Sequence, residues 1–239
     1  MESDGQEIKL HRALRLAHTS HRRFQTLAMT IRCWEDVERI VAAQGMEVRE
    51  AERQEPREAS IRVWIDAEPR RPRSRAVWPP PRYRVEDGST NAVIVCDRPR
   101  WWVVDRNLGT LRSSWEDAEP GVKGPDEVAD PWFHFSNVSW LKRWSGVAVR
   151  GTTEVAGRAA VLVAAREAMF DIAPGSDRNH FALDLERGVL LRGECFLDEV
   201  PLAVEEVVEI TFDEPLPPGL FDEPELQTAS VNGCGPGAE

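Results

Sequence analysis

The sequence predicts an α+β fold. Its centre is a strongly curved antiparallel sheet, a half-open β-barrel, with an N-terminal helix and a mid-chain plug helix. Three observations carry this reading. Eight to eleven short stretches alternate apolar and polar residues, and turn signals such as Asp87-Gly88 and Glu186-Arg187-Gly188 separate them. Only two stretches carry a broad apolar face at helical spacing, one near the start and one in the middle. The strands follow one another mostly through short connections. That favours hairpins, and antiparallel strands in this number curl toward a barrel whose open mouth helices must cover.

The first helix is expected over residues 8–28, where Leu10, Leu14, Ala17, His21, Phe24 and Ala28 form one stripe. Met29–Trp34 then reads as a first strand. Residues 36–58 are highly charged, with Val37, Ile40 and Val41 at helical spacing, and read as a surface helix or an inserted loop. Ile61, Val63 and Ile65 alternate with Arg62, Trp64 and Asp66 as in a half-buried strand. Further strands are expected at 82–86, 92–96, 101–104 and 111–115. Residues 116–130 read as an acidic loop. Pro131–Trp144 reads as the second helix, with Asp130 as its cap and Pro131 in its first turn. Five longer strands follow at 147–155, 159–166, 180–186, 189–197 and 202–212, and Pro215–Pro218 ends the last. Residues 1–226 are expected to be a single domain, and residues 227–239 a disordered tail rich in Gly and small polar residues.

Composition narrows the function. The 239 residues are 41% hydrophobic and 30% charged, with 41 acidic and 30 basic side chains and a net charge of −11. That balance argues against a nucleic-acid partner, even though Arg70–Arg75 with Trp64, Trp78 and Arg82 interleaves bases and aromatics. No apolar run is long enough for a transmembrane segment. The start of the chain lacks an export signal, so it reads as cytoplasmic as written, or as the mature form of an exported protein. Four cysteines without a C-x-x-C pair make neither a zinc ribbon nor a disulfide scaffold. His11, His18 and His21 cluster without a carboxylate or thiol to complete a metal site, so no metal or cofactor is expected.

The order of these elements resembles the lipoprotein-carrier superfamily, LolA-like and RseB-like proteins, and in particular their actinobacterial relatives. The resemblance spans roughly residues 10–224. It rests on LRLAHTSHRRFQTLAMTIRCW, SIRVWIDAEPRRPR, DPWFHF and VAGRAAVLVAA, then FALDLERGVLLRGECFLDEVPLAVEEVVEITFDEPLPPGLF. It implies a half-open barrel around an apolar cavity that takes acyl chains or serves as a sensor surface. The charged stretch 36–58 departs from the carrier pattern.

Catalytic motifs such as G-x-S-x-G and H-E-x-x-H are absent. Glu206 is the one carboxylate that breaks pattern. It shares parity with Leu202, Val204, Val208, Ile210 and Phe212, so it is expected on the apolar face as a candidate general acid. The favoured reading is nonetheless an ion pair with Arg192 or Arg150, or a bulge that turns Glu206 outward, so no catalytic residue is expected. Trp78, Trp102, Phe133, Trp140 and Trp144 are the candidate ligand-binding residues, because large aromatics around a concave sheet make a walled apolar pocket. The first reading is a non-catalytic protein holding a hydrophobic small molecule or acyl chain. Its rivals are a protein-interaction or sensor module and a specialised-metabolism enzyme using the same cavity. Deleting residues 227–239 is expected to leave the thermal midpoint unchanged by circular dichroism; a fall of many degrees would show that the tail docks.

Overall fold

The computed structural model describes residues 10–47, 56–67, 82–97, 100–107, 110–113, 135–136, 138, 141, 145–166 and 176–224. These residues contain eleven strands in one sheet. They are β1 Thr26–Glu35, β2 Arg57–Asp66, β3 Arg82–Asp87, β4 Ala92–Asp97, β5 Arg100–Asp105, β6 Thr110–Ser113, β7 Ser145–Val155, β8 Arg158–Arg166, β9 Arg178–Asp184, β10 Leu190–Leu197 and β11 Val200–Phe212. Their spatial order is 6-5-4-3-2-1-11-10-9-8-7. Two meanders therefore meet where the first strand pairs with the last, and every neighbouring pair is antiparallel. The sheet curves strongly without closing. β7 lies four places from β11 and still touches it, and the Arg158 guanidinium of β8 sits 4.9 Å over the Phe212 ring of β11.

Strand alternation sorts the residues to two faces. On the inner face Leu27, Met29 and Ile31 of β1 stand opposite Ile65, Val63 and Ile61 of β2. The same row continues through Tyr83 and Val85 of β3 to Cys96 and Ile94 of β4. Helix α1, Leu10–Thr19, lays Ala13, Leu14 and Ala17 on this face, and Phe135, Val138 and Leu141 join the same core. Ser20 ties the two covers together. Its buried hydroxyl donates to the Ala17 carbonyl at 2.9 Å and accepts the Val138 N–H at 3.2 Å.

Helix α1 is shorter than its periodicity predicts. It ends at Thr19, a 3₁₀ turn covers Ser20–Arg22, and β1 has begun by Thr26. The hydroxyls of Thr19 and Ser20 donate to the Arg15 and Ala17 carbonyls, which a continuing helix would satisfy with later N–H groups. Phe24 continues the helical stripe by count, yet Leu27–Cys33 pairs with strands on both sides and that pairing wins. Residues 36–43 do form a surface helix. Helix α2, Val37–Ala43, is capped by Asp36, whose carboxylate accepts the Arg39 N–H at 3.0 Å. Its Ile40 and Ala43 pack on Cys195, Leu202 and Ala203.

The segment after β11 folds back over the outer face. Leu216, Leu220 and Phe221 cover Val93, Val95, Trp102 and Val104, with Trp64 beside them. Arg84 donates to the Leu220 carbonyl at 3.2 Å, and Arg82 stacks 4.5 Å over Phe221.

The β9–β10 hairpin carries the seat of α1. Asp184 accepts the N–H groups of Glu186 and Arg187 and pairs with Arg158. Arg187 donates to the Arg23 carbonyl, and Arg23 donates to that of Glu186 at 3.1 Å. Gly188 has φ +73°, and a Cβ built there would lie 2.4 Å from the Leu16 carbonyl oxygen. Only glycine satisfies both demands. We expect Gly188→Ala to cost about 1–3 kcal/mol in urea unfolding; an unchanged midpoint would mean that α1 does not depend on this contact.

Candidate functional site

The inner face is the candidate site. Besides the row already described, Trp101 and Val103 of β5, Val161, Val163 and Ala165 of β8, Phe181 and Leu183 of β9 and Val207 of β11 belong to one apolar cluster under the helical covers. This surface is broad, continuous and apolar, bounded on one side by sheet and on the other by helical residues.

One end of the face is charged. Glu205 stands opposite Cys33 and is only 6% exposed. Glu35 stands opposite Arg57 on β2, and Asp87 opposite Ile61. Burial, then the Glu205 carboxylate, raises the Glu35 pKa above the ordinary glutamate value, with Arg57 opposing. Burial likewise pushes the Cys33 thiol well up, helped by Glu205, Glu35 and Asp87, which leaves it a neutral thiol and a poor nucleophile. The sequence offered no direct sign of this end, because it depends on which of two adjacent glutamates faces inward.

Glu206 leaves the apolar face that simple alternation gives it and takes the other course the sequence offered, a bulge and an ion pair with Arg192. Thr30 pairs with Glu209 but Ile31 pairs with Val207, so Val208 is an extra residue in a β-bulge. Counting parity across that bulge assigns the wrong glutamate. Glu205 faces in, and Glu206 faces out between Arg32 and Arg192, at 3.1 Å from each. From the outer face Glu206 has no access to a ligand on the inner one, and the enzyme reading loses its acid.

Trp102 is corrected in the same way. Neighbours on a strand point to opposite faces, so Trp101 joins the inner cluster and Trp102 the outer one. Trp102 lines a small hollow of about 190 Å³ with Asp97, Phe221, Asp222 and Glu223. That is below the roughly 300 Å³ at which small-molecule sites begin. Trp78, Phe133, Trp140 and Trp144 lie outside the described residues. Phe135, from the same stretch as Phe133, is fully buried in the inner cluster.

Among the described residues no group of three or more His, Cys, Asp or Glu is placed to hold a metal ion. His21 is held neutral. Burial, then Arg22 and His18, push its pKa down to about 4. No described helix is long and apolar enough to cross a membrane.

This open, strongly curved antiparallel sheet with an N-terminal helix across its inner face is similar in fold to the solved structure of MucB. MucB is similar to it, at 14% identity over 90% of this chain and 63% of its own, with a TM-score of 0.53. An uncharacterised conserved protein from Thermus thermophilus is 12% identical over 92% of this chain and 96% of its own, with a TM-score of 0.49. The lipoprotein LppX of Mycobacterium tuberculosis is 7% identical over 87% of this chain and 99% of its own, with a TM-score of 0.43. The chain thus spans about 63% of the length of MucB. No family model and no curated protein matches the sequence.

The raised Glu35 pKa sets a pH dependence. Its folded pKa lies above the unfolded one, so its contribution to stability is fully present below the ordinary glutamate pKa and is lost as pH rises through the folded value. Glu35→Gln removes that loss. We expect the variant to be more stable than the parent at neutral pH and equal to it near about pH 4. A variant less stable at neutral pH would place Glu35 in a net favourable pair with Arg57.

Proposed function

We propose that this protein is a binding protein that holds a lipid or acyl-like hydrophobic ligand on the inner face of its half-barrel, without catalysing a reaction. The observation that carries this reading is the continuous apolar inner face, over which α1 and Phe135, Val138 and Leu141 pack. In this reading α1 and the stretch around Phe135, Val138 and Leu141 act as a cover that an acyl chain parts from the sheet. Phe133, Trp140 and Trp144 flank those positions in the chain and would line the same ligand, as would Trp78. The charged end at Glu35, Glu205, Asp87 and Arg57 would meet the ligand's polar head.

A second reading, a protein-interaction module, draws on the likeness to MucB, which has been solved in complex with MucA(peri). One experiment separates the two. Fatty acids of increasing length are titrated against the purified protein while tryptophan emission is recorded, with native mass spectrometry alongside. About a dozen methylenes buried in a dry groove gain several kcal/mol after binding costs. We expect saturable changes with long chains and none with short ones. Trp102→Ala and Glu206→Gln should lower stability without changing the affinity, because both residues face outward. A bare mass in every preparation, with no dependence on chain length, would overturn ligand binding and leave the interaction module.

A further inference from the structure

We propose that Asn179 is the hydrogen-bond donor for the ligand's head, and that this head is an uncharged group with an acceptor oxygen, such as an ester, and not a carboxylate. The inference rests on the reading of the inner face as a lipid-binding surface and deepens it.

Sheet register gathers the polar groups of the inner face into one row. Asn179 of β9 stands opposite Cys195 of β10, Cys195 opposite Ala203 of β11, Ala203 opposite Glu35 of β1, and Glu35 opposite Arg57 of β2. In the next row Phe181, Gly193, Glu205 and Cys33 follow one another across β9, β10, β11 and β1. Asn179 therefore marks the far end of the charged row, with only the small side chains of Cys195 and Ala203 between it and Glu35. Its parity is that of Phe181 and Leu183, and its partner on β8 is Ala165, all three members of the inner cluster.

Asn179 is fully buried. A buried carboxamide has two N–H donors and an acceptor oxygen to satisfy. Its Oδ1 accepts the Ser176 hydroxyl at 3.3 Å, and its Nδ2 has no hydrogen-bond partner among the described residues. In either orientation of the amide at least one N–H is left over, because Ser176 can take only one. Nearly all buried polar side chains in proteins are paired, so an orphaned amide in an apolar surface needs a reason. An apolar side chain of the same size would leave no donor unsatisfied. A ligand oxygen brought in along the apolar face would complete the amide.

The neighbours decide the charge of the head. Glu35 and Glu205 lie at this end of the face, and Arg57 is the one cation of the row among the described residues. The local field is negative, since Glu205 acts to raise the Glu35 pKa against the opposition of Arg57. A carboxylate head would meet this repulsion and lose its hydration as well, whereas an ester brings an acceptor without a charge. Helix α2 packs Ile40 and Ala43 on Cys195 and Ala203, which screens this end from water and keeps the repulsion strong.

The test is a pair of tryptophan-emission titrations of the full chain, with a long-chain fatty acid and with its methyl ester, at neutral pH where the acid is ionised. The parent should bind the ester roughly tenfold or more tightly than the acid. Asn179→Leu should weaken the ester by roughly tenfold, change the acid by a few-fold at most, and be at least as stable as the parent in urea without ligand. Asn179→Asp keeps the shape without the donor and should lose the ester in the same way. A parent that binds the acid as tightly as the ester, or variants that keep the ester affinity, would overturn the assignment and leave the lipid reading standing. An Asn179→Leu protein that is less stable yet binds the ester unchanged would make the amide purely structural and overturn it too. A parent that binds neither compound would overturn both.

Discussion

The rest of the structure depends on the cover of one sheet face. Eleven strands with a largely apolar inner face leave a surface that water cannot be allowed to wet, because roughly 25 cal/mol is lost for every Å² exposed. Helix α1 and the stretch from Phe135 to Leu141 supply that cover. Of the two, α1 has ten residues, too few to hold a helix alone in water. Their positions are fixed by a few polar contacts at the rim. Ser20 joins them to one another, and Gly188 with the Arg187 and Arg23 bonds joins α1 to the β9–β10 hairpin. The cover therefore has apolar contact over its area and directional anchors at one end.

The outer face solves a different problem by two means. On one side a cross-strand ladder runs from Arg32 to Glu206, Arg192 and Glu194, with ion pairs between 2.7 and 3.1 Å. Pairs this exposed contribute little to stability, about 0–1 kcal/mol each, but they keep the face hydrated and resist face-to-face association. On the other side the outer residues of β4 and β5 are Val93, Val95, Trp102 and Val104, too apolar for water. The segment carrying Leu216, Leu220 and Phe221 returns from β11 to cover them. The prolines at Pro215–Pro218 end the strand but not the packed structure, which continues as far as Phe221.

Much of the fold was legible because strands announce themselves through period-two alternation, and each expected strand appears within a few residues of its place. Three features were hidden for physical reasons. At the end of α1 the hydroxyls of Thr19 and Ser20 turn back onto the carbonyls of Arg15 and Ala17, while the apolar spacing continues undisturbed through Phe24. The inward glutamate was concealed by the bulge at Val208, since an extra residue in a strand leaves no mark in composition but reverses every side chain beyond it. Trp101 and Trp102 are adjacent residues of one type, so the sequence gives no hint of which of them faces inward. The parity of β5 became readable only once Ile94 and Cys96 of β4 were known to face inward.

The bulge also explains why the inner face has two chemically distinct ends. Were the strand regular through Val208, with no bulge, Glu206 would share the inner face with Ile210 and Phe212, in the middle of the apolar surface. A carboxylate there would carry a desolvation cost of several kcal/mol with little to offset it. With the bulge, inward charge is moved to the end of β1, where Glu35, Glu205, Asp87 and Arg57 gather and where Arg57 opposes part of the like-charge repulsion. The apolar middle stays free of charge, and the polar groups mark one end. A uniformly greasy groove would hold a chain in either direction. A face polarised along its strands would favour one, so under the proposed function the bulge in β11 would set which way round an amphiphile lies.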